Sequence, residues 1–332
     1  MKHIYLFIIT LVFLSACGTK REYYQPTQVD PLPNSAKNIN GKITSFNNNI
    51  AQLNNNAFIN TTGNIIDFKL DKNYHILNAY QDEILIADDN GNFKILNLKG
   101  EELYFYKFNE SVVSASLDGD DIALVLASNS LVYANKNLGI KMLQNLGTAY
   151  AQDSRYANPY FLNTIIIYPM LNGKLAIVNK SSLKVSKEIM VSSEEFFNNI
   201  IYLHVKNDTM IAATAKKIIV VTPTNRTVYL NEDIKEVNAN DREIFILTKD
   251  GRIIKNDYNL RKINEVKFQF ALFSKSTLHH DFLYIFEKTG YLIRLNTDLK
   301  NYSVYKLSDA VDQKSFMSHD KFFYNNKVLQ LN

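Results

Sequence analysis

The feature that most constrains the fold is a hairpin that recurs about every 40 residues along the chain. In one copy, the turn Asp88–Gly91 joins the apolar runs Glu83–Ala87 and Asn92–Leu98, and similar copies surround Gly173 and Gly251. Asn-Gly and Asp-Gly favour tight hairpins because they tolerate positive φ. Short strands joined by hairpins at this period predict an all-β chain, folded as a single β-propeller of four-stranded antiparallel blades.

The number of hairpins predicts the number of blades. We place the turn between the second and third strands near Gly63, Asn90, Asn129, Asn172, Lys216, Asp250, Thr289 and Asn326. A second polar marker precedes several of these hairpins, at Gly119-Asp120, Asn207-Asp208, Asn240-Asp241, His280-Asp281 and His319-Asp320. Eight turns favour eight blades. The first interval is short, so blade one would have a very short outer strand in Lys69–Asn73; a degenerate first unit, giving seven blades, is the alternative.

The ends of the repeat region predict how the ring closes. The last copy ends soon after its third strand, Lys327–Leu331. We expect Lys42–Asn47 to supply the missing outermost strand, because pairing the two chain ends in one blade removes exposed edges. Helix should be scarce, with one turn at Ser192–Asn199 capped by a serine and a long irregular loop at Leu146–Phe161.

The N-terminus carries an export signal. Lys2 and His3 precede the apolar run Ile4–Leu14, and Leu14-Ser15-Ala16-Cys17 follows the pattern of a cleavage site. It resembles the lipobox of bacterial lipoproteins, which implies a signal peptide at 1–16 and a lipid (diacylglycerol, palmitate) on Cys17, the only cysteine. A membrane-spanning helix is the alternative, but the run has about 11 residues where about 20 are needed.

The chain after the signal divides into two parts. Residues 17–41 contain Pro26, Pro31 and Pro33 and little apolar periodicity, which predicts a flexible tether before a propeller at 42–332. Gly18, in place of the Asp that retains lipoproteins at the inner membrane, favours the outer membrane.

Catalytic and cofactor motifs are not visible. The sequence has no H-x-x-x-H spacing, G-x-S-x-G elbow, Walker loop or dinucleotide fingerprint, so we expect no enzyme, no cofactor and no metal. Asp118, Asp120 and Asp121 raise the alternative of a calcium loop, but the later ligands are missing. We interpret the His-Asp pairs as turn residues rather than metal ligands. With a net charge of +4 and no basic stripe, nucleic-acid binding is not expected.

Two connecting segments hold the candidate partner-binding residues. Phe196 and Phe197 follow two glutamates in a connector outside the repeat, and exposed aromatic pairs are common anchors in interfaces. Arg155 and Tyr156 lie in the long loop Leu146–Phe161 and are further candidates. Packing of the two phenylalanines beneath a blade is the alternative.

The lipobox, the proline-containing tether and a single propeller together resemble the BamB family of the outer-membrane β-barrel assembly machine, whose members are eight-bladed quinoprotein-type propellers. The resemblance implies a monomer within a larger complex, anchored at the periplasmic face of the outer membrane. It also implies binding to POTRA domains of the barrel insertase without catalysis. Alternatives are a surface-exposed adhesin or glycan-binding lipoprotein, and a quinoprotein-type enzyme, whose cofactor would need a Trp that this chain lacks.

Overall fold

The computed structural model describes residues 22–311 and 314–331. In these residues the chain forms strands and no helix, so the one-turn helix predicted at Ser192–Asn199 is wrong: that segment is a series of bends. The strands form eight separate four-stranded antiparallel sheets. The prediction of an eight-bladed propeller is therefore confirmed.

Blades 1 to 4 follow the chain in order. Blade 1 contains β2 (Ile43–Phe46), β3 (Ala51–Leu53), β4 (Ala57–Ile59) and β5 (Ile65–Asp67), after β1 (Lys37–Asn38). Blade 2 contains β6 (Tyr74–Ala79), β7 (Glu83–Asp88), β8 (Asn92–Asn97) and β9 (Glu102–Lys107). Blade 3 contains β10 (Val112–Asp118), β11 (Asp121–Leu126), β12 (Ser130–Asn135) and β13 (Gly139–Asn145). Blade 4 contains β14 (Tyr160–Phe161), β15 (Ile165–Pro169), β16 (Lys174–Asn179) and β17 (Lys184–Met190).

Blades 5 to 8 complete the ring. Blade 5 contains β18 (Tyr202–Lys206), β19 (Thr209–Ala213), β20 (Lys217–Val221) and β21 (Thr227–Asn231). Blade 6 contains β22 (Ile234–Ala239), β23 (Glu243–Thr248), β24 (Arg252–Asp257) and β25 (Lys262–Lys267). Blade 7 contains β26 (Phe273–His279), β27 (Phe282–Glu287), β28 (Tyr291–Asn296) and β29 (Tyr302–Lys306). Blade 8 contains β30 (Ser315–Ser318), β31 (Lys321–Tyr324) and β32 (Lys327–Gln330), with β1 as its outermost strand.

Ring closure uses a different strand from the one predicted. The N-terminal strand in blade 8 is Lys37–Asn38, which pairs with Val328 and Lys327. Lys42–Asn47, predicted in that place, instead contains β2, the first strand of blade 1. The propeller therefore begins before the predicted boundary at residue 42.

Two predictions within blade 1 are wrong for the same reason. The turn between its second and third strands is at residues 54–56, whereas Gly63 lies in the next turn, and the outer strand is Ile65–Asp67 rather than Lys69–Asn73. The first hairpin turns through asparagines, with Asn56 at φ 60°, and contains no glycine marker. The other seven predicted turns lie between the second and third strands of their blades, as expected.

In the described part of the chain, the hydrophobic core is divided into eight clusters, each packed between two neighbouring blades. Between blades 2 and 3, for example, Leu85 and Phe93 pack with Ile122 and Leu124. Middle strands are therefore buried on both faces, as in β7 and β11. Because the apolar side chains meet between blades, the centre of the ring is left to a channel along the inner strands.

Candidate protein-binding surface

The connections that lead from one blade to the next differ in length. Blade 4 is preceded by residues 146–159 and followed by residues 191–201, whereas blades 5 and 6 are joined by Glu232–Asp233 alone. The two long connections lie against each other, since Ala157 N–H donates to the carbonyl of Ile200 at 3.0 Å. We call the surface formed by residues 146–159 and 191–201 the long-loop surface.

Asn199 joins the two connections. Its side chain is buried, its Oδ1 accepts from Asp153 N–H at 2.7 Å, and its Nδ2 donates to the carbonyls of Asp153 at 3.2 Å and Arg155 at 2.6 Å. A single amide thus satisfies three backbone groups that no strand provides for. The long-loop surface is consequently held in place by a buried polar contact rather than left as free loop.

Arg155 connects this surface to blade 6. Its guanidinium bonds the Asp153 carboxylate through Nε at 2.8 Å and also through Nη2, while Nη1 donates to the carbonyl of Lys235. Burial alone would raise the pKa of Asp153, but the hydrogen bonds and charge of Arg155 hold that pKa below its usual value. Arg155, predicted as a partner-binding residue, therefore makes internal contacts that shape the surface.

The other predicted residue of this loop, Tyr156, is half-buried. Its hydroxyl donates to Gln152 Oε1 at 3.1 Å, and its carbonyl accepts from Asn48 Nδ2 at 3.1 Å. Burial, followed by the nearby Asp153 carboxylate, raises the pKa of Tyr156, so its hydroxyl stays protonated at neutral pH. Tyr156 fixes the loop against blade 1, with its ring packed towards blade 4.

Three aromatic side chains of the long-loop surface face solvent. Tyr150 is 59% exposed, Phe196 is 52% exposed and Phe197 is 55% exposed. The rings of Tyr150 and Phe196 lie 6.1 Å apart, and Phe197 N–H donates to the carbonyl of Ala151. The exposure of both phenylalanines argues against packing beneath a blade. The sequence did not single out Tyr150, although it lies in the same aromatic loop.

Phe197 has an unusual backbone. Its φ is 53°, in the left-handed region that costs a side-chain-bearing residue about 1–2 kcal/mol. The neighbouring Asn198 is buried and donates through Nδ2 to the carbonyls of Ser192 and Asn172. These contacts hold a backbone shape that presents the two phenylalanines outward.

The long-loop surface borders the central channel. Arg155, Ala157–Phe161 and Ile201–Leu203 line the channel together with the inner strands. Side chains link neighbouring blades around the wall: Asn78 Nδ2 donates to the carbonyl of Ala115 and Ser116 Oγ to that of Pro159. The channel wall and the long-loop surface are therefore parts of one hydrogen-bonded structure.

The histidine and aspartate candidates occupy turns. His280-Asp281 and His319-Asp320 form the turns after the inner strands of blades 7 and 8. The imidazole rings of His280 and His319 both lie near the ring of His279, with ring centroids 4.1 Å and 5.9 Å from it. No group of three or more His, Cys, Asp or Glu side chains that could hold a metal occurs in residues 22–311 and 314–331.

The three aspartates considered for calcium are engaged with protein groups. Asp121 accepts from Tyr133 and Asn135 and lies 3.4 Å from Lys141. Asp120 accepts from Asn137 and Asp118 pairs with Lys180, as separate contacts. Their carboxylates serve the turn and its neighbours, in line with the interpretation as turn residues.

The sequence reasoning missed the residues that build this surface. Asn199 and Gly173, whose carbonyl accepts from Val191 and Ser192, support the second connection. A usable signal was the length of the gap between predicted strands on either side of blade 4. Asparagine at that gap did not stand out, because asparagine is frequent throughout the chain.

The predicted lipobox at Leu14–Cys17 and the predicted signal peptide at 1–16 lie outside the described residues. Within the described part of the chain, no helix has the length and apolar character needed to cross a membrane.

Comparisons with known proteins give relatives of limited identity. No protein-family model matches the chain. It is 28% identical, over 327 aligned residues, to the plasminogen-binding protein PgbB of Helicobacter pylori, with 84% of this chain covered. The chain spans about 60% of the length of that curated relative.

Solved structures share the fold. BamB from Moraxella catarrhalis superposes with a TM-score of 0.67 at 13% identity, covering 92% of this chain and 96% of that one. The C-terminal WD40 domain of Sif2 gives a TM-score of 0.64 at 11% identity, covering 90% and 99%. The chain is thus BamB-like in architecture, and at these identities the likeness concerns the fold.

Proposed function

We propose that this chain is a protein-binding propeller whose long-loop surface docks a partner. The observation that carries the proposal is the pair of long connections around blade 4, locked by Asn199 and presenting Tyr150, Phe196 and Phe197 to solvent. Aromatic side chains are enriched among residues that dominate interface energy. A surface that is already ordered loses little conformational entropy when it binds.

The proposed setting is the periplasmic face of the outer membrane, with the lipid on Cys17 as the anchor. The chain between Cys17 and the propeller is short, because Tyr24 is buried against Phe268, in the connection after blade 6, and against Tyr291 of blade 7. Asp30 then pairs with Tyr305 and Lys37–Asn38 joins blade 8. Seven residues from Cys17 to Tyr24 reach at most about 23 Å when extended. Lipidation would raise the effective concentration of the propeller at the membrane.

The proposed role is a non-catalytic scaffold in outer-membrane β-barrel assembly, with POTRA domains of the barrel insertase as partners. The likeness to the fold of BamB supports this assignment. It is also supported by a surface of exposed aromatic residues beside the channel, where the Arg155 guanidinium is held in a structural contact with Asp153.

The test is affinity purification of the full-length lipoprotein from gently solubilised membranes. Recovery of the barrel insertase would support the proposed role. A variant with Phe196→Ser and Phe197→Ser should lose most of the partner, because both apolar anchors are removed. Phe270→Ser is the matched control: Phe270 is 43% exposed at φ 62°, but lies in the connection between blades 6 and 7. Retained binding in the double variant, or equal loss in the control, would contradict docking at the long-loop surface.

A second candidate is a surface-displayed binder of a host protein. It is favoured by the 28% identity to a protein named for plasminogen binding. Protease treatment of intact cells separates the two, since a periplasmic scaffold should be protected and a displayed binder digested. Binding of the purified chain to immobilised plasminogen, lost on changing Phe196 and Phe197, would support this second role.

A further inference from the structure

The central channel is large enough to hold a small-molecule ligand. It encloses about 1320 Å³, larger than the roughly 300–1000 Å³ of most small-molecule pockets. Its charged groups are not spread evenly around the ring. Arg155, Lys235 and Lys275 come together on the side of blades 6 and 7, whereas the wall formed by blades 1 to 3 offers mainly amides and hydroxyls such as Asn49, Tyr80 and Ser116.

The carboxylates of the charged side leave one cation without a partner. Asp153 is taken by Arg155. Glu236 lies 3.6 Å from Lys275 and also accepts from Ser276 Oγ at 2.9 Å. In residues 22–311 and 314–331, no carboxylate forms an ion pair with Lys235. The middle of the cluster therefore carries an uncompensated positive charge.

The surroundings of Lys235 disfavour its charged form. Burial lowers its pKa to about 8; the adjacent Glu236 opposes this, and the positive charges of Arg155, Lys275 and Lys288 add to it. Lys249 acts on the same cluster through Asp153. A cation that is desolvated and surrounded by other cations is stabilised by an anion placed beside it.

We propose that the channel binds a small polar molecule through a carboxylate or phosphate group at Lys235, flanked by Arg155 and Lys275. The amide and hydroxyl groups on the wall of blades 1 to 3 would face the polar remainder of the ligand. The inference concerns the channel and is independent of the partner proposed for the long-loop surface.

The test uses the full-length protein and two probes, citrate and inorganic phosphate, titrated calorimetrically at constant ionic strength. Saturable binding of either is expected, and the one that binds more tightly identifies the anion class. Lys235→Met should weaken binding at least tenfold. Lys300→Met, at an exposed turn between β28 and β29, should bind like the wild type. No saturable heat with either probe, or unchanged binding by Lys235→Met, would overturn the proposal.

The pH dependence of ligand affinity provides an independent test, which can be made on the unaltered protein. Wild-type affinity should fall as pH rises from 7 to 9.5, because Lys235 loses its proton across its lowered pKa. Lys235→Arg should retain affinity at pH 9.5, since a guanidinium stays charged there. Equal loss of affinity in Lys235→Arg and the wild type would assign the titration to another group and overturn the role of Lys235.

Discussion

Blade 4 and blade 6 each consist of four antiparallel strands in the same order, yet their connections differ. Blade 6 is entered through Glu232–Asp233 and left through residues 268–272, whereas blade 4 is entered through 146–159 and left through 191–201. Both share one contact: the residue after the outer strand donates to a turn glycine, Val191 to Gly173 and Phe268 to Gly251. A short connection is therefore enough to join neighbouring blades, and the additional length around blade 4 forms the surface that we propose for binding.

The largest expected effect comes from Gly173→Ala. A Cβ there would lie 2.2 Å from Asn198 Nδ2 and 2.4 Å from the carbonyl oxygen of Ser192, at φ 81°. The free energy of unfolding should fall by about 3 kcal/mol, from a left-handed alanine and the clash together. Gly100→Ala, at φ 85° with nothing within 4 Å, should cost only about 1 kcal/mol. Urea unfolding measures the free energy of unfolding of both variants. Equal losses of stability would mean that close packing at Gly173 does not support the connection at residues 191–201.

Asn199→Ala should lower the free energy of unfolding by about 2 kcal/mol. It leaves the Asp153 N–H and the carbonyls of Asp153 and Arg155 without their partner in a buried place. The comparison in blade 6 is Asn256→Ala, which removes one side-chain hydrogen bond, to the carbonyl of Leu260, and should cost about 1 kcal/mol. Thermal denaturation compares the stabilities of the two variants. A larger loss of stability in Asn256→Ala would contradict the structural role that we assign to Asn199.

Lys235→Met probes the point where the long connection reaches blade 6. The pKa of Lys235 is lower in the folded protein than in the unfolded chain, so burying the charged side chain lowers the free energy of unfolding. This destabilisation is fully present below pH 8 and disappears as pH rises towards 10.5. The variant should be more stable than the wild type by about 2 kcal/mol at pH 7. The difference should shrink at pH 10. Urea unfolding at both pH values measures this difference in the free energy of unfolding. The same difference at pH 7 and pH 10 would contradict a lowered pKa of Lys235.

The smallest effect on stability is expected from Phe197→Gly. Glycine relieves the left-handed backbone, so the free energy of unfolding should rise by about 0.5–1 kcal/mol. Phe270→Gly in the shorter connection should give a similar gain, because Phe270 also has positive φ. Only Phe197→Gly should weaken partner binding. Differential scanning calorimetry and the pull-down measure the two properties, and weakened binding by both variants would place the interface on both connections.

Much of the fold was predictable because hairpin chemistry is local. Turns such as Asp88–Gly91 can be recognised from residues that accept positive φ. Seven of the eight predicted turns lie where expected. The exception, near Gly63, fails because the first hairpin turns through asparagines. The closing strand was misplaced because two residues, Lys37 and Asn38, are too short a run to show a strand pattern.

The candidate surface was only partly predictable. Phe196 and Phe197 were identified from their position outside the repeat, and they are exposed. Arg155 and Tyr156 lie in the same surface but make internal contacts. Folding brings the Arg155 guanidinium to the carbonyl of Lys235 and the carbonyl of Tyr156 to the side chain of Asn48, and both partners are distant in the chain. Asn199 was missed because one buried asparagine resembles the turn asparagines in sequence.

By itself, the sequence determined the all-β class and the repeat, and it favoured eight blades over seven, since these features depend on the alternation of apolar runs with turn residues within about 40 positions. Only the tertiary structure decided which strand closes the ring, how residues 146–159 and 191–201 meet, and that Lys235 lies beside Arg155 and Lys275 without a carboxylate partner among the described residues. These features join residues distant in the chain. Their stability depends on burial and on hydrogen-bond partners that exist only after the blades have packed.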